Sequence, residues 1–583
     1  MEYPETTVIR DDMAIDWDVP IRMDDGIVLR ADVYRPVEDG RYPALITYGP
    51  YGKYLHFEDL YTAQWRTMCA DHPDVPAGST NKYQNWEVVD PEKWVPDGYV
   101  CIRVDSRGAG RSPGVLDIWS LREAEDFKQC IDWAGVQPWS NGKVGINGIS
   151  YYAMNAWKTA SLQPKHLAAI CTWEGAADFY RDMARHGGIL CSGFTKTWSE
   201  NQVYSVQHGM GRNGLKSRFT GDWVSGPPTL TPEELGANRR NFYADCIANT
   251  LDTDEYWQSR QPDWSKVTVP VFSSANWGGQ GLHPRGNFEG FVRAAASEKW
   301  LEVHGREHWT EFYTDYGVAL QKKFFGHFLK DEDTGWAKQP KVLLQVRHPG
   351  EVFVERAENE WPLARTDWQK HYLDAIDLSL RRAPPAAAGS VAYGGFGDGV
   401  TFTTPPLPAP TEITGPIAAK LFVESETEDA DLFLVVRVFT PDFHEVVFAG
   451  ALDPKTPVAQ GWLRVSQRKL DPKLSEPYRP YHTHDEKQPM TPGEVYEVDV
   501  EVWPTCIVAP AGYRVALSVR GRDYVWPGGK SEGLETLGTA WHGCGPFTHE
   551  EPRDRPAEVY GGKVTLHTGP DREAYLLLPV IPE

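Results

Sequence analysis

Ser150 is the residue whose surroundings most favour nucleophilic chemistry. It ends the apolar run Val144–Ser150, which closes in a Gly-x-Ser sequence and is followed at once by helix-forming residues. A strand that turns sharply into a helix at a serine lifts the hydroxyl above the sheet edge, as in a nucleophile elbow. Gly148 and Ala153 are small enough for the close approach of strand and helix that this turn needs. Because Gly-x-Ser also occurs in ordinary surface turns, these residues alone leave both interpretations open.

A serine hydroxyl becomes a nucleophile only when a base accepts its proton and an acid orients that base. In the chain order serine, acid, histidine, the histidine follows the last core strand. His308 has this place, in a turn after the strand-like run Trp300–His304. We therefore predict His308 as the base, the alternative being a hydrogen-bonded loop histidine, and expect His304, on the strand itself, to be packed.

The segments that must position these residues alternate strands with helices over the first 338 residues, which predicts a mostly parallel sheet. Residues 178–262 turn helical and polar, as a cap inserted between sheet strands would. From about residue 340, strands alternate with proline-rich turns, which predicts an all-β domain, a jelly-roll sandwich. The predicted sheet segments are Ala14–Arg22, Val28–Tyr34, Tyr42–Tyr48, Tyr99–Asp105, Val144–Ser150, Leu167–Thr172, Val267–Ser274 and Trp300–His304.

The expected fold class is thus α/β with an inserted helical cap, plus a C-terminal all-β jelly-roll domain. The elbow and the chain order serine, acid, histidine are those of an α/β-hydrolase domain. We predict the first part of the core at residues 1–175, the cap at 176–264, the second part of the core at 265–338 and the jelly roll at 339–583.

The composition restricts the classes of partner. The chain has 59 Lys and Arg against 81 Asp and Glu, a formal charge of −22 at pH 7, which argues against nucleic acid or an anionic membrane. The N-terminus has no basic and apolar leader and no run of 18 apolar residues occurs, so we expect a cytoplasmic protein. The eight cysteines lack paired short spacings, which favours buried free thiols. Homo-oligomerisation stays open.

Four motifs together resemble the cocaine-esterase-like and X-prolyl dipeptidyl-peptidase (CocE/NonD) family of serine hydrolases. They are Pro50-Tyr51-Gly52-Lys53, Asp105-Ser106-Arg107-Gly108-Ala109-Gly110-Arg111-Ser112, Gly148-Ile149-Ser150-Tyr151 and Gly305-Arg306-Glu307-His308. The C-terminal segments Thr401–Pro406 and Gly461-Trp462-Leu463-Arg464 resemble that family's jelly roll, so the resemblance covers nearly the whole chain.

The resemblance implies an oxyanion hole made by a tyrosine hydroxyl and by the backbone N–H after the nucleophile. Carried over by position, these are Tyr51 and the amide of Tyr151. A phenol donor in a dry site stabilises developing negative charge by a few kcal/mol. The alternative for Tyr51 is a packed aromatic side chain.

The chain departs from the family pattern at the triad acid. Members usually carry Trp-x-Asp after the strand that follows the cap, whereas this chain reads Trp277-Gly278-Gly279. Either the triad lacks an acid or the acid comes from elsewhere. Glu174, at the carboxyl end of the strand after the elbow helix, is the predicted relocated acid; the alternative is a rim glutamate paired with Arg181 or Arg185.

Two further patterns are weak. The Gly108-Ala109-Gly110 loop lacks the third glycine of a dinucleotide site, and His482-x-His484-Asp485-Glu486 lies in a proline-flanked polar loop, where a solvated loop is the expectation. We assign no cofactor and no metal.

The residues and the resemblance predict a serine hydrolase that cleaves an ester of a small to medium, partly apolar substrate. One alternative is an X-prolyl dipeptidyl aminopeptidase or amidase with the same catalytic residues. Such an enzyme needs a carboxylate to bind a substrate ammonium. The acidic candidates in the cap are Asp178, Asp182, Glu200, Asp252, Asp254 and Glu255. The other alternative is a non-catalytic carbohydrate-binding or scaffold protein that uses the jelly roll.

Overall fold

A mixed sheet of eleven strands forms the first part of the protein, in a computed structural model that describes residues 6–528 and 543–582. Its strands are β1 (Thr6–Arg10), β2 (Met13–Arg22), β3 (Val28–Pro36), β4 (Tyr42–Gly49), β5 (Val100–Asp105), β6 (Ser140–Ile149), β7 (Leu167–Trp173), β10 (Val271–Asn276), β11 (Lys299–His304), β12 (Val342–His348) and β13 (Val352–Glu358). Two more strands, β8 (Arg185–His186) and β9 (Ile189–Leu190), form a short hairpin outside this sheet. The order across the sheet is β1-β2-β3-β5-β4-β6-β7-β10-β11-β12-β13. Pairing is parallel from β5 to β12 and antiparallel at both ends.

Helices connect and cover these strands. They are α1 (Phe57–Leu60), α2 (Thr62–Asp71), α3 (Pro91–Trp94), α4 (Leu121–Gly135), α5 (Tyr151–Ser161), α6 (Ser192–Trp198), α7 (Pro232–Ala237), α8 (Phe242–Ala248), α9 (Glu255–Gln258), α10 (Pro284–Arg293), α11 (Thr310–Tyr313), α12 (Asp315–Lys330) and, near the C-terminus, α13 (Ala557–Tyr560). Two π-helical turns, Phe179–Ala184 and Ser199–Val203, lie between β7 and α7. Residues between β7 and β10 thus form the helical excursion that the sequence predicts.

The sheet is buried on both faces, as its long apolar strands require. Phe127 and Ile131 of α4 pack with Ile146 of β6 in one core cluster. Phe325 and Leu329 of α12 belong to the cluster on the opposite face. There they lie so close to β6 that a Cβ added at Gly145 would meet Phe325 at 2.6 Å. The strands between these layers are therefore held rigidly, and so are the residues at their carboxyl ends.

The C-terminal part is a second sheet of twelve strands that closes into a barrel. Its strands are β14 (Asp367–Asp374), β15 (Ser379–Arg381), β16 (Gly389–Gly394), β17 (Val400–Thr403), β18 (Thr411–Ser425), β19 (Asp431–Phe439), β20 (Glu445–Val446), β21 (Ala459–Arg464), β22 (Val495–Ala509), β23 (Arg514–Arg520), β24 (Lys563–Thr568) and β25 (Tyr575–Ile581). The path β18-β22-β21-β19-β23-β17-β15-β14-β25 closes because β25 pairs with β18. Closure leaves these strands without a free edge.

Alternation along β19 shows how this barrel meets the first part. Leu432, Leu434 and Val436 face the barrel core. Phe433 points the other way and clusters with Ile189 of the excursion and with Trp462. Successive side chains of β19 thus face alternately the barrel core and the contact with the first part, so both faces of this strand are apolar.

One predicted boundary differs from the structure. Residues 342–358, assigned to the C-terminal domain from position 339 onward, form β12 and β13, and both strands extend the first sheet. Apolar alternation at Val342, Leu344 and Val346 predicts a strand but carries no information about which sheet it joins. In the part of the chain that the structure describes, no helix is both long and apolar enough to cross a bilayer.

Candidate active site

Ser150 lies at the junction between β6 and α5 with a backbone conformation of φ 57° and ψ −114°. This left-handed φ is costly for a residue with a side chain, and it is held by its neighbours. The Ser150 N–H donates to the Trp173 carbonyl at 3.1 Å, and the Ser150 carbonyl accepts from Ala153 and Met154 at 2.9 and 2.7 Å. A Cβ at Gly148 would meet the Cβ of Tyr152 at 2.6 Å. A glycine is therefore needed at position 148.

Glu174 and His308 meet at the carboxyl end of the parallel sheet. Glu174 follows β7, and His308 follows β11 in the loop before α11. Glu174 Oε2 lies 2.6 Å from His308 Nδ1, and both side chains are buried. The predicted alternative partners of Glu174 are engaged elsewhere, because Arg181 pairs with Asp178 and Arg185 donates to other groups in the interface with the barrel.

The second carboxylate oxygen of Glu174 contacts Asn276 and His304. Glu174 Oε1 accepts from Asn276 Nδ2 at 3.1 Å and lies 3.3 Å from His304 Nε2. His304 Nδ1 in turn lies 2.9 Å from Glu302 Oε2. His304 is packed, as predicted, with its ring stacked on Trp173. It also belongs to a buried chain of alternating carboxylates and imidazoles that leads from His308 into the core.

The charges in this chain depend on one another. Burial favours the neutral carboxyl of Glu174, but the charge of His308 and the hydrogen bonds of both histidines outweigh it and lower the Glu174 pKa to about 2. Burial disfavours a charged imidazole at His308, but Glu174 and Glu87 outweigh it and raise the His308 pKa to about 10. Glu174 is therefore ionised at neutral pH, and the His308 ring binds its proton strongly.

Glu87 is the residue of the site that the sequence analysis missed. Glu87 Oε1 lies 2.7 Å from His308 Nε2, the ring nitrogen opposite Glu174. Its backbone has φ 59°, and its carbonyl accepts the Ile149 N–H at 3.0 Å, next to the nucleophile elbow. The only sequence signal is a carboxylate beside Trp86 within an aromatic stretch that has no periodicity. Burial raises the Glu87 pKa to about 7.

Tyr51 lies between the elbow and the helical excursion. Its hydroxyl oxygen accepts from the Trp198 indole N–H at 3.1 Å, which leaves the hydroxyl proton free to be donated. Its ring makes edge contacts with Tyr151 and Tyr152, both at 5.7 Å. Burial raises the Tyr51 pKa well above its ordinary value, so the phenol stays protonated.

Buried charges fix the loop that carries Tyr51. The Lys53 N–H donates to Asp105 Oδ1 at 2.6 Å, and the Lys53 ammonium lies 2.8 Å from Asp18 and 2.7 Å from Asp32. Asp105 Oδ2 also accepts the Arg111 N–H at 2.8 Å. The glycine loop of residues 105–112 thus supports the tyrosine loop.

Tyr151 is the first residue of α5, so its backbone N–H has no partner within the helix. Its side chain is buried, and its hydroxyl donates to Glu123 Oε2 at 2.6 Å. Only the backbone of Tyr151 is therefore available to the elbow.

A small cleft joins Ser150, His308, Glu87 and Tyr51. Its walls are mainly apolar and aromatic: Tyr61, Trp86, Phe194, Trp198, Leu282 and Leu452. Leu452 comes from the C-terminal part, where the neighbouring Ala451 carbonyl accepts the His308 N–H at 3.1 Å. The barrel thus contributes to the cleft and to the position of the histidine.

The histidine pair of the C-terminal part differs from the expected solvated loop. His482 and His484 are both buried. His482 Nε2 bonds the Asp499 carbonyl at 2.9 Å, and His484 Nδ1 bonds Gln467 Oε1 at 2.7 Å. Arg181 of the excursion covers this segment by donating to the His482 carbonyl, a long-range contact that local polarity does not predict.

The comparisons with known proteins cover both parts of the chain. A family model described as X-Pro dipeptidyl-peptidase (S15 family) matches residues 25–310, and one described as the X-Pro dipeptidyl-peptidase C-terminal non-catalytic domain matches residues 334–577. A solved CocE/NonD family hydrolase from Staphylococcus aureus is similar at 31% identity and a TM-score of 0.84, covering 98% of this chain and 94% of that one.

Two more distant proteins extend these matches. Cocaine esterase of Rhodococcus sp. (strain MB1 Bresler) is 24% identical, with 97% of this chain and 98% of that protein covered. An aminopeptidase from a marine-sediment archaeon of the Thaumarchaeota has a TM-score of 0.70 at 15% identity, covering 100% of this chain and 99% of that one, and therefore shows a shared fold.

Proposed function

The chain belongs to the CocE/NonD family of hydrolases, and on that premise we propose that it cleaves an ester through an acyl-enzyme formed on Ser150. The similarity to esterases and peptidases makes the protein a hydrolase and sets aside the non-catalytic binding or scaffold alternative. The observation that carries the proposal is the 2.6 Å contact between Glu174 and His308, in a cleft that also contains Ser150 and Tyr51.

The proposed architecture follows the same premise. We assign an α/β-hydrolase core to the first sheet, a cap to residues 176–264 and a jelly roll to the closed barrel. The parallel order from β5 to β12, with helices on both faces, supports the core. Because β12 and β13 pair within the first sheet, we count them with the core and propose that it extends to residue 358.

In the first step, the Ser150 hydroxyl attacks the ester carbonyl while His308 Nε2 takes its proton. Glu174 holds the Nδ1 proton, which leaves Nε2 as the basic nitrogen, and it stabilises the imidazolium that forms. The imidazolium then protonates the leaving alcohol. A water molecule, deprotonated by His308, attacks the acyl-enzyme in the second half and releases the acid product and Ser150.

The negative oxygen of each tetrahedral intermediate needs donors that are already in place. Tyr51 can supply its hydroxyl proton, because its oxygen accepts from Trp198 and its buried phenol stays neutral. The Tyr151 N–H is the second donor, at the positive end of α5. The apolar cleft walls suit a small to medium, partly apolar acyl or alcohol group.

A second candidate function is X-prolyl dipeptidyl aminopeptidase activity. The specific observation that favours it is the Glu87 carboxylate in the cleft, since a substrate ammonium needs such a group. Among the acidic residues of the excursion, Asp178 and Asp252 pair with Arg181, and Asp182 pairs with Arg285. None of these lines the cleft.

A panel of substrates separates the two bond types. Purified enzyme is offered p-nitrophenyl esters of increasing acyl length beside X-Pro p-nitroanilides, with the Ser150→Ala variant as a matched control. The ester proposal expects kcat/KM at least 100-fold higher for the best ester than for the best anilide. Preference for the anilide with a free amino terminus makes the peptidase the better assignment.

A further inference from the structure

Glu87 occupies the nitrogen that the proposed mechanism needs for the serine proton. His308 Nδ1 is committed to Glu174 at 2.6 Å, so Nε2 is the only ring nitrogen left for Ser150. In the structure, Nε2 lies 2.7 Å from Glu87 Oε1. Whether the proton between them resides on nitrogen or on oxygen, the Nε2 lone pair is engaged and cannot accept a second proton.

The position of Glu87 is built into the elbow. Its side chain is 2% exposed, and its carbonyl accepts the Ile149 N–H of the residue that precedes Ser150. The left-handed backbone at φ 59° is a strained conformation for a glutamate, one that the surrounding structure must maintain. Its other oxygen, Oε2, is buried and has no hydrogen-bond partner among the described residues. A carboxylate so placed is costly for the fold, which points to a role at the site.

From these contacts we propose that Glu87 is a positioning residue that clamps His308 in the free enzyme, holding Nε2 protonated and away from Ser150 until the shared proton is lost. The inference rests on the proposed function, because it needs His308 as the base for Ser150. It adds a second carboxylate to the histidine, on the side opposite the triad acid.

The other groups that face the pair set its charge. They are the carboxyl of Glu174, backed by His304 and Glu302, the imidazole of His283, which stacks on His308 at 5.1 Å, and the phenols of Tyr51, Tyr61, Tyr152 and Tyr313. Burial lowers the His283 pKa well below its ordinary value and raises the pKa of each of the four phenols. The His283 imidazole and the four phenols are therefore neutral near pH 7, whereas Glu174 is ionised.

The sign of the pH effect follows from this arrangement. Two carboxylates on one imidazole favour its protonated form, and the pKa of His308 is raised accordingly. The base becomes free only as the pH rises through that raised value. Removing the Glu87 charge leaves one carboxylate, so the proton is lost at a lower pH. Activity that depends on free Nε2 should therefore extend to more acidic pH in a Glu87→Gln enzyme.

The kinetic test compares the pH dependence of kcat/KM for wild type, Glu87→Gln, Glu87→Asp and Glu92→Gln, since kcat/KM reports the free enzyme. Glu92 is a partly exposed carboxylate of the same segment that bonds Ser79 and Thr80, and its variant is the control. The acidic limb is expected to shift down by at least one pH unit in Glu87→Gln, to remain at the wild-type position in Glu92→Gln and to stay nearer the wild type in Glu87→Asp. A merely structural role would lower the rate at every pH without moving the limb, and that result overturns the clamp.

A second measurement needs no variant to fold. In wild-type enzyme with ¹⁵N-labelled histidine, the clamp predicts strongly deshielded ring protons from both His308 N–H groups near neutral pH, and through-bond correlation to the ring carbons assigns the two signals to Nδ1 and Nε2. A neutral His308 ring with a single low-field proton, on Nδ1 alone, contradicts the proposal.

Covalent labelling separates failure of the clamp from failure of the proposed function. A fluorophosphonate reacts with an activated serine, and its labelling rate is followed against pH in wild type and Glu87→Gln. For each enzyme, the labelling rate at pH 6 is divided by its rate at the alkaline plateau. We expect this ratio to be at least tenfold higher in Glu87→Gln than in wild type. Labelling at Ser150 with identical pH limbs refutes only the clamp, whereas absence of labelling at Ser150 refutes the proposed function on which it rests.

Discussion

Glu174 Oε2 lies 2.6 Å from His308 Nδ1 although 134 positions separate the two residues in the chain. Glu174 directly follows β7, which lies two strands away from β11, and His308 follows β11. The family position for the acid, after β10, holds Gly278 and Gly279. A carboxylate one strand nearer to the nucleophile thus reaches the same imidazole nitrogen, and the proposed triad is Ser150, His308 and Glu174.

Replacement of Glu174 by Gln keeps the size of the side chain but offers a neutral amide to His308 Nδ1. The amide can donate to the ring, favour the wrong tautomer and fail to stabilise the imidazolium. We expect kcat to fall by about 100-fold to 10,000-fold with KM little changed, measured by steady-state ester hydrolysis. A rate within about threefold of wild type, under ~1 kcal/mol of transition-state stabilisation, contradicts the assignment of Glu174.

The double variant Glu174→Gln with Gly279→Asp supplies a carboxylate at the usual family position. A Cβ at Gly279 would meet Pro284 Cδ at 3.0 Å, which a small shift can accommodate, whereas a Cβ at Gly278 would meet Gly450 Cα at 2.4 Å. Gly279 is therefore the site for this control. Partial recovery of kcat over the single variant supports a triad that depends on the carboxylate and not on the local fold.

Asn276 is expected to act through Glu174. Its amide donates to Glu174 Oε1 at 3.1 Å and to the Arg306 carbonyl at 2.8 Å, so it links the acid to the loop of the base. Loss of a hydrogen bond to a charged group costs about 1.5–3 kcal/mol, and part of that loss is expected in the rate. Asn276→Ala should lower kcat roughly tenfold with KM unchanged. An unaltered kcat in a folded variant means that His304 alone suffices to hold Glu174.

Tyr51→Phe removes the proposed oxyanion donor without changing the ring contacts. Because the phenol acts on charge that develops in the transition state, kcat should fall by about 100-fold while KM stays similar. The matched control is Tyr61→Phe, which removes a hydroxyl in the same cleft that donates to Gln202 and should affect KM more than kcat. A rise in KM with constant kcat in Tyr51→Phe makes Tyr51 a binding residue instead.

The cleft wall contributed by the barrel gives a prediction about substrate range. Leu452 lines the cleft beside Phe194 and Leu282. A charge there disfavours an apolar acyl chain, so Leu452→Asp should raise KM for long-chain esters at least tenfold and leave short-chain esters little affected. Phe443→Asp, at a residue that is 62% exposed on the barrel, is the control and should change neither. Equal effects on short and long esters would show that Leu452 does not contact the acyl group.

Local patterns predicted much of the fold because strand and helix periodicity is a short-range property. The junction of β6 and α5 at Ser150 follows from an apolar run, a glycine and helix formers within about fifteen residues. Which sheet a strand joins is a long-range property, and for that reason the range predicted from residue 339 onward did not show that residues 342–358 pair with the first sheet. The buried state of His482 depends in the same way on Arg181, 301 positions earlier in the chain.

The same distinction applies to the site. Ser150, His308 and Glu174 could be proposed because each follows a recognisable strand at the same sheet edge, and their catalytic roles remain predictions. Glu87 could not be proposed, since it follows no strand and its contact with His308 spans 221 positions. Its place depends on how residues 54–95 cross the sheet, which their irregular aromatic pattern does not encode.

The most direct test of the central claim is the site of covalent labelling. Wild-type enzyme and Ser150→Ala are incubated with a fluorophosphonate, and the labelled residue is located by peptide mass spectrometry, with circular dichroism to show that both are folded. We expect one phosphonyl group per wild-type chain, on Ser150, with parallel loss of ester hydrolysis, and neither labelling nor hydrolysis in the variant. Stoichiometric labelling or undiminished hydrolysis by folded Ser150→Ala would contradict the assignment of Ser150 as the nucleophile.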